Sequence, residues 1–199
     1  MSDNEKLKTL QFEVMMNSKL PQSLIDSRGN KIFNDDNKRI RGNKDYIPPK
    51  GWFGIGLNVY GKYDNGDNKW LGKNNHDGEW CVAYHGVGGG KDSNMIFHIL
   101  GLILRSGLKP GANQAHKNCK DIFHQGQNVG AGVYLTPDIR NAENYAGLVN
   151  INGETFKVVL MIRVKPDRIR CCSCYYNSNW TLNGNYDEIR PYRILLKKC

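Results

Sequence analysis

A chain of 199 residues, 39% of them apolar, can bury one substantial core and is short for two. Its 28 Lys and Arg outnumber 19 Asp and Glu, and the net charge of +9 favours anionic partners: nucleic acid, an acidic protein face or a phosphate-bearing ligand. No run approaches the roughly 18 consecutive apolar residues of a membrane span, and charges interrupt the N-terminal stretch where a secretory leader needs an apolar core, so no membrane partner is expected and a cytoplasmic protein, or a nuclear one, is.

Residues 1–45 are polar and weakly periodic, with Leu7, Leu10 and Val14 as one short helical face and a break at Pro21; they read as an extension. The basic run NKRIRGNK at 37–44 carries no nucleic-acid-reading motif beside it and reads as a solvated face. YIPPKGW at 46–52 is stiff, because consecutive prolines fix φ and exclude helix, so the domain proper is expected over 46–199. Phe53, Ile55, Leu57 and Val59 then recur at the period of a half-buried strand. A second strand over 79–85 puts Trp80, Val82 and Tyr84 on one face and Cys81, Ala83 and His85 on the other.

DSNMIFHILGLILRSGLKPG spells a complete helix: Asp92 or Ser93 as cap, an apolar run from Met95 to Leu104 that implies burial all round, and Gly107 and Pro110 to end it. GVYLTPDIRNAENYAG predicts a strand, then a helix capped by Thr136, with Pro137 at its first position and Gly147 past its end. FKVVLMIRVKP, rich in β-branched residues, predicts a central strand over 156–166, and EIRPYRILLKK a last strand that Pro191 confines to an edge or a bulge. Strands outnumber helices without βαβ alternation, so an α+β domain built on antiparallel sheet is expected.

Several chemistries fail on spacing. GVGGGK after His85 does not complete a dinucleotide fingerprint, which would need Gly where Lys91 stands, nor a phosphate-binding P-loop. His116, Cys119 and His124 lie near one another, as do the cysteines of CCSC at 171–174, but neither set has the paired spacing of a structural zinc site, so no metal is expected and the six cysteines are expected reduced. Cys81 lies inside a strand, a poor place for a nucleophile.

What remains is an ordered set: YHG with His85 and Gly86, SGLKPG with Lys109, GVYLTP with Tyr134, Tyr145 eleven residues later, and DEI with Glu188. Over roughly residues 50–198 this order resembles the His-Tyr-Glu branch of the ADP-ribosyltransferase family, which contains the poly(ADP-ribose) polymerase catalytic domains. The resemblance implies split antiparallel sheets with few helices, and NAD as co-substrate with no metal. By that likeness His85 bonds a ribose hydroxyl, Gly86 offers its backbone to the nicotinamide carboxamide, Lys109 joins the cofactor site, and Tyr134 and Tyr145 stack on the nicotinamide ring. Glu188, catalytic with His85 and Tyr134, would bind the 2′-hydroxyl and stabilise the oxocarbenium-like ribose as ADP-ribose passes, one unit as the default, to a macromolecular acceptor, expected to be protein. Val87 and Ala142 stand where many relatives carry hydroxyl side chains. The rivals are a binding module of the same fold without catalysis and a transferase acting on nucleic acid.

Overall fold

In the computed structural model the described residues are 2–88, 90–111, 116–173, 180–183 and 186–199, the side chain of Tyr186 excepted. Helix α1 (Asp3–Asn17) starts on a capping box, in which the Ser2 hydroxyl accepts from the Glu5 N–H at 3.3 Å and the Glu5 carboxylate accepts from the Ser2 N–H at 2.7 Å. Leu7, Leu10 and Val14 form its buried face and join the main core. Helix α1 is therefore packed into the same core as the main sheet, not appended to it. The weak periodicity has a physical source: Phe12 and Met16, also apolar, face outward and blur the stripe.

The strands follow in chain order: β1 (Lys31–Ile32), β2 (Arg39–Arg41), β3 (Lys44–Tyr46), β4 (Phe53–Gly56), β5 (Cys81–Gly86), β6 (Val133–Leu135), β7 (Gly147–Ile151), β8 (Glu154–Val164), β9 (Ile169–Cys171), β10 (Trp180–Leu182) and β11 (Ile189–Lys198). Between them lie α2 (Ser93–Ser106) and α3 (Ile139–Glu143). The fold is mixed α+β with few helices. One sheet runs β1-β4-β11-β8-β5, with β7 alongside β8 below β5; a smaller one runs β6-β10-β9, and β2 pairs β3. Every strand pairing among the described residues is antiparallel.

β8 is central because both its faces are covered, which is why its sequence is apolar almost without interruption. Alternation along β5 divides its side chains between two cores: Cys81 and Ala83 join the cluster with α1 and α2, Val82 and Tyr84 the cluster with Trp52, Ile139 and Leu195. Each fully buried side chain of Val, Leu or Ile size contributes about 1.5–3 kcal/mol, so the two clusters hold the sheet from both sides. β11 lies inside the sheet between β4 and β8, and Pro191, which cannot donate to the ladder, is accommodated by a bulge between Pro191 and Arg193.

The helices differ from expectation in detail. Asp92 caps α2, its carboxylate accepting from the N–H groups of Asn94 and Met95, and Gly107 at φ +80° ends it. Burial is one-sided, however: Ile96, Phe97 and Leu100 are buried while Met95 and Leu102 face outward. α3 is shorter than expected and is capped by Asp138, whose carboxylate accepts from the Arg140 N–H, instead of by Thr136. Thr136 is taken up by a two-way backbone pairing with Tyr84, at 2.7 and 3.1 Å, and that pairing joins the small sheet to the edge of β5.

Candidate functional site

Beyond the Tyr84–Thr136 pairing, β5 and β6 diverge, and the space between them opens into a cavity of ≈ 560 Å³. That volume is of the size that takes a small-molecule ligand. His85 and Gly86 at the end of β5 supply one wall, Tyr134 on β6 and Thr181 on β10 another, and Tyr145, in the turn between α3 and β7, the rim. Lys109, just past the end of α2, also lines it.

Antiparallel geometry orients the backbone here. Tyr84 turns its N–H and C=O toward β6, and successive residues of a strand alternate, so Gly86 presents its own N–H and C=O on that same cavity side. Glycine is required there by packing. A Cβ at Gly86 would stand 2.5 Å from the Ala142 carbonyl oxygen and 2.6 Å from the Tyr145 carbonyl carbon, so a side chain would force the end of α3 away from the strand.

His85 Nδ1 lies 2.8 Å from the Tyr134 carbonyl oxygen. A carbonyl can only accept, so Nδ1 carries the proton and Nε2 of the neutral ring is an acceptor. Burial pulls the His85 pKa below the ordinary histidine value, and the Tyr134 carbonyl offsets only part of that. The neutral ring is thus the form held at physiological pH, ready to accept from a ligand hydroxyl. Tyr134 accepts at its hydroxyl from the His116 N–H at 2.9 Å, and the two rings sit 5.3 Å apart, tilted. Burial, first of several causes, raises the Tyr134 phenol above its usual range, so it stays protonated. Tyr145 is 61% exposed, a large aromatic face at the cavity mouth with little packing to explain it.

Five of the six residues proposed from sequence, His85, Gly86, Lys109, Tyr134 and Tyr145, line this one cavity; Glu188 is not among the described lining residues. Glu188 was expected on a strand. It ends a 3-10 turn over Tyr186–Glu188, just before β11. Register gives the offset: its carbonyl pairs with Lys165, whereas His85 pairs with Leu160, five residues along β8. At about 3.3 Å per residue, that is roughly 17 Å along the strand. The Glu188 carboxylate is engaged instead by Lys165 Nζ and Arg168 Nε, each at 3.2 Å. No Asp or Glu occurs among the described lining residues.

Sequence reasoning missed Thr181, Trp180 and Asn144 as cavity residues, and took His116 only as a metal candidate. Thr181 lies directly opposite Tyr134 in the small sheet and is buried. The only signal for it was the β-prone triplet WTL, too short to be read as a strand. His116 also falls close to Cys119 and Cys172, a set of three metal-ligating side chains at one flank of the cavity. A scan against protein-family models finds no match to this chain, and a search of curated proteins finds none.

Proposed function

We propose that the cavity receives the nicotinamide–ribose end of NAD and that the domain, of the ADP-ribosyltransferase fold, transfers single ADP-ribose units from NAD to a macromolecular acceptor, releasing nicotinamide. The observation that carries this reading is convergence: His85, Gly86, Tyr134 and Tyr145, dispersed over sixty positions of sequence, meet on one cavity. His85 Nε2 would accept from a ribose hydroxyl, the Gly86 backbone would pair with the carboxamide, and the tyrosine faces would take the flat ring. Lys109 and the net charge of +9 suit the diphosphate.

In the transfer itself the C1′–N bond breaks with its electron pair going to nicotinamide, and the acceptor nucleophile forms the new bond to C1′ and loses its proton to solvent. Positive charge develops on the ribose between these events. With Glu188 held by Lys165 and Arg168, that charge would be met by the electron-rich faces of Tyr134 and Tyr145 and by the diphosphate of NAD itself. The same displacement of Glu188 favours a second reading, a module that binds NAD or ADP-ribose without transferring it.

The test is incubation with adenine-labelled NAD, following nicotinamide release and covalent label on the chain itself, on added proteins and on polynucleotide. Label on protein with stoichiometric nicotinamide supports transfer. Binding by calorimetry without label establishes the module instead, and absence of binding at millimolar NAD sinks both.

A further inference from the structure

Spacing along the sequence argued against a metal, because neither His116, Cys119 and His124 nor the cysteines of CCSC at 171–174 have the paired spacing of a zinc site, and 52 residues lie between Cys119 and Cys172. The fold removes that separation. His116 and Cys119 share one turn, closed by the Cys119 N–H bonding the His116 carbonyl at 2.9 Å, and Cys172 follows β9 directly. The segment 116–130 is then laced onto β9: Asp121 bridges Cys172, the Ile122 N–H bonds the Cys171 carbonyl at 3.0 Å, and the Ser173 N–H bonds the Lys120 carbonyl at 3.1 Å. As a result one imidazole nitrogen and two sulfurs, one from each of His116, Cys119 and Cys172, all lie within 4.8 Å of one another.

We propose that His116, Cys119 and Cys172 bind a zinc ion that fastens this segment to β9 and so fixes one wall of the cavity. The ligand set is soft and nitrogen–sulfur in character, which selects zinc over magnesium or calcium. His116 Nδ1 and Cys119 Sγ stand 3.9 Å apart, against about 3.5 Å for a nitrogen and a sulfur on tetrahedral zinc with bonds of about 2.0 and 2.3 Å, so a small contraction would bring them onto one ion. Two thiolates neutralise the dication, and their two protons leave to solvent on binding. Cys172 is buried, whereas His116 and Cys119 are half-buried. The ion would act on the cavity through His116, whose N–H holds the Tyr134 hydroxyl. Nothing in this assignment depends on NAD being the ligand.

The test measures zinc by elemental analysis in the full chain, equilibrated with zinc, desalted and compared with Cys119→Ser, Cys172→Ser and the exposed Cys199→Ser as control. Cobalt titration of chelator-stripped protein is the second readout, through its thiolate charge-transfer band. The expected result is about one zinc per chain in the wild type and in Cys199→Ser, and at least a tenfold loss in affinity in each of the other two. Cys119→Ser is the decisive variant should Cys172→Ser fail to fold, because Cys119 is only half-buried. Wild-type protein holding less than about a tenth of an equivalent, no charge-transfer band with cobalt, or Cys119→Ser binding as the wild type does would each overturn the proposal.

Discussion

Replacing Glu188 by Gln separates the two roles this carboxylate has been assigned. The structure places it between Lys165 and Arg168, with side-chain exposures of 11%, 37% and 55% respectively. A charge-assisted hydrogen bond contributes about 1.5–3 kcal/mol where it is dry, and an exposed ion pair about 0–1 kcal/mol. Both cations here are more than a third exposed, so solvent screens the pair and the lower range governs. Gln keeps the shape and loses the charge. The expected cost is about 1 kcal/mol of stability, or a fall of roughly 2–4 °C in Tm for a chain of this size. NAD affinity should stay within about twofold, because the site lies far from the cavity along β8. Urea unfolding and calorimetric titration with NAD, run on the same preparations, provide the two numbers. If Glu188→Gln lowered turnover by about 10²-fold or more at unchanged stability, the carboxylate would be acting in the transition state and the placement argued from register would be wrong.

Three further outcomes follow from named contacts. Because burial holds the folded-state pKa of His85 below its unfolded value, the unfolded chain binds more protons as pH falls through the ordinary histidine range, and stability must fall with it. Urea midpoints at pH 7.5 and 5.5 should therefore differ less in His85→Gln than in the wild type, and equal differences would refute the assignment. Leu10→Ala removes a side chain 2% exposed in the main core and should cost about 2–4 kcal/mol, whereas a cost below about 0.5 kcal/mol would mean that α1 does not belong to the cooperative unit. Gly86→Ala should both destabilise the chain and weaken NAD, because its Cβ meets the Ala142 carbonyl at 2.5 Å, and near-normal stability by thermal unfolding would contradict that packing.

Local signals read correctly where one residue type has one physical job. Asp92 or Ser93 and Gly107 bracketed α2, the β-branched run marked β8, and of the edge or bulge that Pro191 called for, the structure has the bulge. Signals failed where the outcome depends on partners distant in sequence. Leu7, Leu10 and Val14 looked marginal because the surface they bury, on the main sheet, is not visible from residues 1–45. α2 looked apolar all round, yet its packing leaves Met95 and Leu102 outward. Glu188 was placed by the order of motifs, as the acid of DEI at the start of an expected strand, and the register of β11 and β8 shows how far it stands from His85. Thr181 and the His116, Cys119, Cys172 cluster are products of the small sheet and the segment laced onto it, with no local periodicity to announce them. Cys174, the last cysteine of CCSC, lies outside the described residues.

If the cavity between β5 and β6 takes the nicotinamide end of NAD, Tyr145 is the residue to replace, because its ring is 61% exposed and contributes little to folding. Calorimetric titration of NAD and of nicotinamide into wild type and Tyr145→Ala, with thermal unfolding of both as the control, isolates the stacking contribution. Saturable binding to the wild type is expected, with a loss in affinity of roughly two- to tenfold in Tyr145→Ala from about 0.5–1.5 kcal/mol of aromatic stacking, and unfolding temperatures that agree closely. No binding to the wild type at millimolar NAD, or equal affinities in the two proteins, would contradict it.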